Sequence, residues 1–214
     1  MAGTFDVKKA LRELYQPPTR PTIVDVPEMT FLMVDGAGNP NDEEGEYARA
    51  VQALYSLTYT IKMSPRAGQA LDGYFEFAVP PLEGLWEFPV ELFDGVHVPK
   101  DALVWTSMIR MPEFVTADIL DWARGEVARK KGDVDTAGAR LATWTEGRCV
   151  QIMHVGPYDT EPASVARMHE WAQSQGYAVD LSPQRRHHEI YLGDPRRSSP
   201  EKLKTVVRHP IRPT

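Results

Sequence analysis

The sequence holds a single cysteine, Cys149, in 214 residues. One thiol cannot close an internal disulfide, so the core must be held by packing, and a reducing compartment is expected. No apolar run approaches the ~20 residues that a membrane helix needs. The opening stretch, MAGTFDVKKALREL, lacks the apolar segment of a secretory signal, and a soluble cytoplasmic protein is expected. Positive charge is also short: 24 Lys and Arg against 30 Asp and Glu leave a net charge of -6. That balance does not favour nucleic acid as a partner. No G-x-S-x-G elbow is present, so an acyl-transfer triad is not expected.

Histidine is present but not in ligand order. His187 and His188 are adjacent, which puts them on opposite faces of a strand, and His97, His154, His169 and His209 show no ligand spacing. No metal and no cofactor is expected. The loop Gly36-Ala37-Gly38 follows a strand as a phosphate-binding turn would. Its third glycine is misplaced, and the acids Asp42, Glu43 and Glu44 would repel phosphate. The basic residues Arg185, Arg186, Arg196, Arg197, Lys202, Lys204, Arg208 and Arg212 lack interleaved aromatics and read as a solvated face.

The periodicities that are present give an α+β chain. Phe5 to Tyr15 reads as a short helix ended by Pro17-Pro18, an arm packed on the body. Thr22 to Val26 and Thr30 to Val34 read as strands with a break at Pro27-Glu28. Glu46 to Met63 is a helix with Ala50, Leu54, Leu57 and Ile61 on its core side, beside a stripe of Tyr47, Val51, Tyr55 and Tyr59. A strand over Gly73 to Val79, a loop over Pro80 to Pro89 carrying Trp86, and a strand over Trp105 to Met111 follow. Thr116 to Lys131 is a helix with Thr116 as N-cap. Strands at Leu141 to Trp144 and Arg148 to Val155 flank a Glu146-Gly147 turn. A helix over Glu161 to Gln175, a turn over Ser198 to Leu203, and a strand over Thr205 to His209 complete the chain.

Residues 185–195, RRHHEIYLGDP, carry the strongest chemical signal. Strand alternation places Arg185, His187, Glu189 and Tyr191 on one face and Arg186, His188, Ile190 and Leu192 on the other, with a turn at Gly193-Asp194-Pro195. A carboxylate is out of place in mid-strand. Glu189 is either a surface group paired with Arg185 or His187, or a pocket carboxylate able to hold a cation or take a proton from water. The halves also echo each other: Met33-Val34-Asp35-Gly36 matches Met153-His154-Val155-Gly156, and Met108-Ile109-Arg110-Met111-Pro112 matches Val206-Val207-Arg208-His209-Pro210. The expected organisation is an arm over 1–20 and a domain over 21–214. Within it lie repeat 1 at about 22–112, a linking helix at about 116–131 and repeat 2 at about 140–211. Each repeat reads strand-helix-strand-strand, and a ligand cleft is expected between the halves.

His154-Val155-Gly156-Pro157-Tyr158 entering a helix, His188-Glu189-Ile190-Tyr191-Leu192-Gly193-Asp194-Pro195, the KALRELYQP segment from Lys9 to Pro17, and Leu82-Glu83-Gly84-Leu85-Trp86 together resemble the GyrI-like small-molecule-binding family. The resemblance implies a duplicated antiparallel α+β domain with a pocket between its modules. Members bind multiple drugs, often fused to a DNA-binding domain with no counterpart here. The long, stand-alone branch resembles the cyclopropanoid cyclopropyl hydrolases, which open the strained ring of DNA-alkylating natural products inside an aromatic cage. By that resemblance Glu189 is the pocket glutamate and general base. Tyr55, Trp86 and Tyr191 are the first cage positions, with Tyr158, Trp105 and Trp144 behind them, and Tyr55 or Tyr191 is the proton donor. Glu87 stands where the branch often has a second aromatic. The expected partner is a hydrophobic, aromatic or cationic small molecule. The alternatives are a drug-binding protein without turnover and a protein-interaction module that modulates a topoisomerase.

Overall fold

The structure is a computed structural model that describes residues 3–87, 99–193 and 198–214. His97, Arg196, Arg197, the Asp194-Pro195 turn and Phe88-Pro89 lie outside the described residues. In chain order the elements are α1 (Val7–Ala10), α2 (Arg12–Tyr15), β1 (Thr22–Ala37), α3 (Glu46–Lys62), β2 (Leu82–Glu87), β3 (Val104–Arg110), α4 (Ala117–Lys130), β4 (Arg140–Val155), α5 (Glu161–Ser174), β5 (Tyr177–Val179), β6 (His187–Tyr191) and β7 (Lys204–Pro213). The result is a mixed α+β fold with antiparallel strand pairing. Two compact units divide the chain: Met1–Asp6, Met29–Pro80 and Glu87–Trp144 form one, and Val7–Glu28, Pro81–Trp86 and Thr145–Thr214 form the other.

In the first unit β1 and β3 pair from Phe31↔Arg110 to Ala37↔Val104. The long helix α3 packs on β3 and on α4. Its apolar stripe Ala50, Leu54, Leu57 and Ile61 is buried as the spacing requires, and α4 buries Ile119, Leu120, Ala123 and Val127. Thr116 caps α4 by accepting the Ile119 N–H. The tyrosine stripe of α3 is the margin of that helix, with Tyr59 50% exposed. Gly36 has a packing reason rather than a phosphate-binding one: a Cβ there would lie 2.2 Å from the Trp105 ring and 2.8 Å from Glu46 Oε1.

The second unit is built on β6, which pairs with β2 on one side and β7 on the other. β7 also pairs with β4 and, near its end, with β5. Val150, Ile152, Val207 and Ile211 on one face of the sheet pack against Met168 and Ala172 of α5. The opposite face receives the N-terminal arm: Arg208 Nη2 donates to the Leu14 carbonyl (2.7 Å) and Gln151 Nε2 to the Glu13 carbonyl (2.6 Å).

Several elements differ from the sequence expectation. The arm is two short helices, not one. β1 and β4 run as single strands through the expected breaks at Pro27-Glu28 and Glu146-Gly147. Gly147 absorbs the second irregularity with φ +75°, a conformation open to glycine. The segment Gly73 to Val79 is not a strand; it makes one bridge, Phe77 to Phe5, in which Phe5 N–H donates to the Glu76 carbonyl and Ala78 N–H to the Phe5 carbonyl. The expected loop around Trp86 is strand β2, because Leu82 to Trp86 find partners along β6. β7 continues past Pro210 to Pro213, since β5 supplies a partner there.

Candidate functional site

In the register of β2 on β6, Gly84 faces Glu189, Trp86 faces His187 and Leu82 faces Tyr191. Residues paired across a ladder share a face. Alternation therefore puts Trp86, His187, Glu189 and Tyr191 together on one face and Glu83, Leu85, His188 and Ile190 on the other. The burial of β6 follows this pattern: His188 and Ile190 are fully buried, and His187, Glu189 and Tyr191 are half-buried.

On the Glu189 face, aromatic groups gather around a bare backbone position. Trp86 Nε1 donates to Tyr191 Oη at 2.9 Å, and the Tyr158 ring lies edge-on to Tyr191 at 6.1 Å. Gly84 leaves the space for this. A Cβ there would lie 2.6 Å from Trp86 Nε1 and 3.1 Å from Tyr191 Oη.

Glu189 is not in open solvent; its side chain is 16% exposed, and Oε1 lies 2.9 Å from His187 Nε2. The same nitrogen lies 3.4 Å from Oε1 of Glu161, the first residue of α5. Burial opposes charge on the His187 ring. Hydrogen bonds to Glu161 and Glu189 outweigh it and raise His187 to about 10. Glu161 is pushed up, first by burial and then by the charge on Glu189, against the pull of His187. On its far side His187 Nδ1 meets His209 Nε2 at 2.6 Å, and His209 Nδ1 meets His169 Nε2 at 2.6 Å. His209 is held well below its ordinary value by burial and by its histidine neighbours, and His169 is lowered by burial and by His187. With His187 charged and its neighbours neutral, one proton order fits: His187 Nδ1–H donates to His209, and His209 Nδ1–H donates to His169.

The nearest ligand atoms of Glu161, His187 and Glu189 all lie within 4.8 Å of one another, a spacing that a divalent ion could bridge. A metal there would have to displace the proton that the two carboxylates hold on the His187 ring.

The other face of β6 carries a separate, fully buried ion cluster. His188 Nε2 lies 2.9 Å from Glu83 and its Nδ1 3.0 Å from Glu146; Arg208 Nη1 donates to Glu146 at 2.9 Å. Tyr15 Oη donates to Glu83 at 2.7 Å, which ties the arm to the cluster. Burial pushes the Glu146 carboxyl up, but His188 and Arg208 together hold it down at about 2.

Of the residues singled out in the sequence, Glu189, Tyr191, Trp86 and Tyr158 come together in the second unit. Tyr55, Trp105 and Trp144 belong to the first. Trp105 is fully buried, edge-on to Tyr47 at 5.1 Å, and its Nε1 has no hydrogen-bond partner among the described residues. Trp144 is half-buried and edge-on to Phe31 at 6.1 Å, and Tyr55 lies beside Tyr59 on α3 at 6.3 Å. Glu161, His209 and Gly84 escaped the sequence reading. Their proximity to His187 and Glu189 arises from strand register and from the start of α5, neither of which leaves a local spacing. Of the two side chains expected to pair with Glu189, His187 does so at 2.9 Å, and Arg185 instead donates to Asp180.

Residues 19–212 match the GyrI-like small-molecule-binding domain. The chain belongs to the GyrI-like family. Solved structures that resemble it over nearly its whole length include two from Listeria innocua. One, described as a hydrolase from Listeria innocua, is 45% identical with a TM-score of 0.88, covering 98% of this chain and 100% of that one. The other, an uncharacterized conserved protein from Listeria innocua, is 46% identical with a TM-score of 0.91 and the same coverage. The C-terminal domain of EcmrR, 10% identical with a TM-score of 0.51, covers 91% of this chain and 98% of that domain and shares the fold alone. No curated protein matches the chain. Small-molecule binding is thus the function of this GyrI-like fold, and among the described residues no helix is long and apolar enough to cross a membrane.

Proposed function

We propose that the protein hydrolyses a cyclopropane ring fused to a flat, conjugated dienone, with Glu189 as general base. The observation that carries the reading is a half-buried carboxylate on the same sheet face as the Trp86–Tyr191–Tyr158 group. Similarity to a chain described as a hydrolase supports catalysis over binding alone. Ring faces hold a flat ligand by stacking. Water attacks the unsubstituted ring carbon while Glu189 takes one of its protons. The carbon–carbon bond that breaks sends its electron pair into the dienone, whose carbonyl oxygen becomes a phenolate. Tyr191, whose hydroxyl is oriented by the Trp86 N–H, donates a proton to that oxygen. The proton on Glu189 then returns through solvent to the tyrosinate, and the sum is addition of one water. Relief of strain and aromatisation drive the step, so a single base and a single donor suffice.

The test is incubation with a cyclopropane-fused cyclohexadienone in isotopically labelled water. The expected product is a ring-opened alcohol carrying one labelled oxygen. Recovery of unchanged dienone would leave a sequestering protein, in which Glu189 acts as counter-charge to cationic ligands.

Gly84→Ala tests the aromatic part of the reading. The new methyl would collide with Trp86 Nε1 and Tyr191 Oη, displacing both by up to about 1 Å. A displacement of that size costs on the order of 100-fold in kcat/KM. Turnover should fall by that order while the urea midpoint changes little. An unchanged kcat/KM would remove Trp86 and Tyr191 from the site.

A further inference from the structure

We propose that Glu161, acting through His187, is a positioning residue for Glu189: the imidazole bridges the two carboxylates and fixes which oxygen of Glu189 remains to receive a proton from water. The proposal rests on the reading of Glu189 as the base, and it adds a second carboxylate from a different element to the site.

The geometry is specific. His187 Nε2 is shared between Glu189 Oε1 at 2.9 Å and Glu161 Oε1 at 3.4 Å. One ring N–H thus engages one oxygen of Glu189, and the other oxygen is the one left to face water. Glu161 is 7% exposed, and its Oε2 has no hydrogen-bond partner among the described residues. Leaving a carboxylate oxygen buried and unpaired is costly. A purely structural acid at this place would be expected to satisfy both oxygens or to be replaced by an apolar residue. The ring that Glu161 addresses cannot turn away, because His209 holds its Nδ1 and is itself held by His169. The imidazole is locked from behind, and the carboxylates of α5 and β6 meet it from the front.

Five ionisable neighbours surround His187 or its partners. Glu189 lies on its own strand, Glu161 on α5, His209 on β7 with His169 of α5 beyond it, and His154 of β4 acts on Glu161. Both histidines of the column are lowered and neutral near neutrality, so they add no charge to compete with the carboxylates. The charge on His187 therefore depends on Glu161 and Glu189 together. Below about 10 the ring is protonated and grips Glu189; as pH rises through that value the grip weakens. Removing the Glu161 charge should bring this loss to lower pH.

The experiment uses the full chain and two readouts. The first follows the His187 imidazole by NMR against pH. Glu161→Gln, which preserves size, should lower its midpoint by ~1 to 3 pH units, and Glu161→Asp should restore part of the shift. The second follows kcat on a cyclopropane-fused cyclohexadienone. Its alkaline limb should move down together with the NMR midpoint, while kcat on the plateau below that limb stays within about tenfold of the unsubstituted protein. A His187 midpoint unmoved in Glu161→Gln overturns the proposal. So does a midpoint that moves while the alkaline limb stays, since Glu161 would then tune the ring without positioning the base. Absence of turnover in the unsubstituted protein overturns the hydrolase reading, and the NMR titration still decides whether Glu161 governs His187.

Discussion

Glu189→Gln is expected to abolish most turnover while sparing ligand affinity. The amide keeps the shape of the side chain and can still meet His187, but it cannot accept a proton from water. A positioned general base contributes ~100- to 10,000-fold, so kcat should fall within that range with KM changed little. Single-turnover kinetics on the cyclopropane-fused dienone separates the two quantities. A sequestering protein predicts the opposite pattern, in which loss of the negative charge weakens a cationic ligand and leaves a neutral one untouched. Full hydrolysis by the variant would remove Glu189 from the base role. The contrast with Glu161→Gln is informative, because that change is expected to move the pH range of activity and not to eliminate it.

The second large effect concerns stability. Glu146 stands between His188 and Arg208 in the buried cluster behind β6. Glu146→Gln leaves two buried cations with Glu83 as the remaining carboxylate of the cluster. Breaking a buried ion pair by removing one partner costs ~3–5 kcal/mol, a large share of a typical domain's stability of about 5–15 kcal/mol. Urea unfolding at pH 7 should show that loss. The pH dependence supplies the sign. Glu146 is depressed from 4.5 to about 2, so its contribution is complete above 4.5 and disappears as pH falls toward 2. His188 is raised above 6.5, so its contribution is complete below 6.5 and is lost as pH rises through its folded value. The cluster is thus at full strength between about 4.5 and 6.5, and the acid-side decline between 4.5 and 2 should be smaller in Glu146→Gln. An unaltered acid limb in the variant would show that Glu146 is not the group responsible.

The parts of this molecule that could be read from sequence are those with a period. The stripe Ala50-Leu54-Leu57-Ile61, the Thr116 cap and the alternation through His187–Tyr191 each carry their signal within a few residues. What could not be read depended on partners distant in the chain. Leu82 to Trp86 looked like a loop because Pro80-Pro81 and Pro89 bracket it, yet prolines at the ends of a strand cost no ladder bond inside it. Glu146-Gly147 looked like a turn because glycine after an acid often is one. Inside β4 the same pair continues the strand, with Gly147 at φ +75°, and Glu146 is buried. Adjacent histidines were read as unsuited to a metal because they face opposite ways. That geometry held, but it hid the fact that each serves a different cluster, one with Glu161 and Glu189 and the other with Glu83 and Glu146. Glu161 lay 28 residues from Glu189 in the sequence, and only the folded path of α5 joins them.

β6 is a partition one peptide thick. Behind it His188 joins a fully buried ion cluster, and on the other side His187, Glu189 and Tyr191 form the face to which the proposed function assigns the ligand. Room for a bulkier guest cannot be borrowed through such a wall, because the cluster behind it tolerates no missing member. Under the proposed function, changes of ligand preference belong at Trp86, Tyr158 and Tyr191, while Glu83, Glu146, His188 and Arg208 hold the frame behind them.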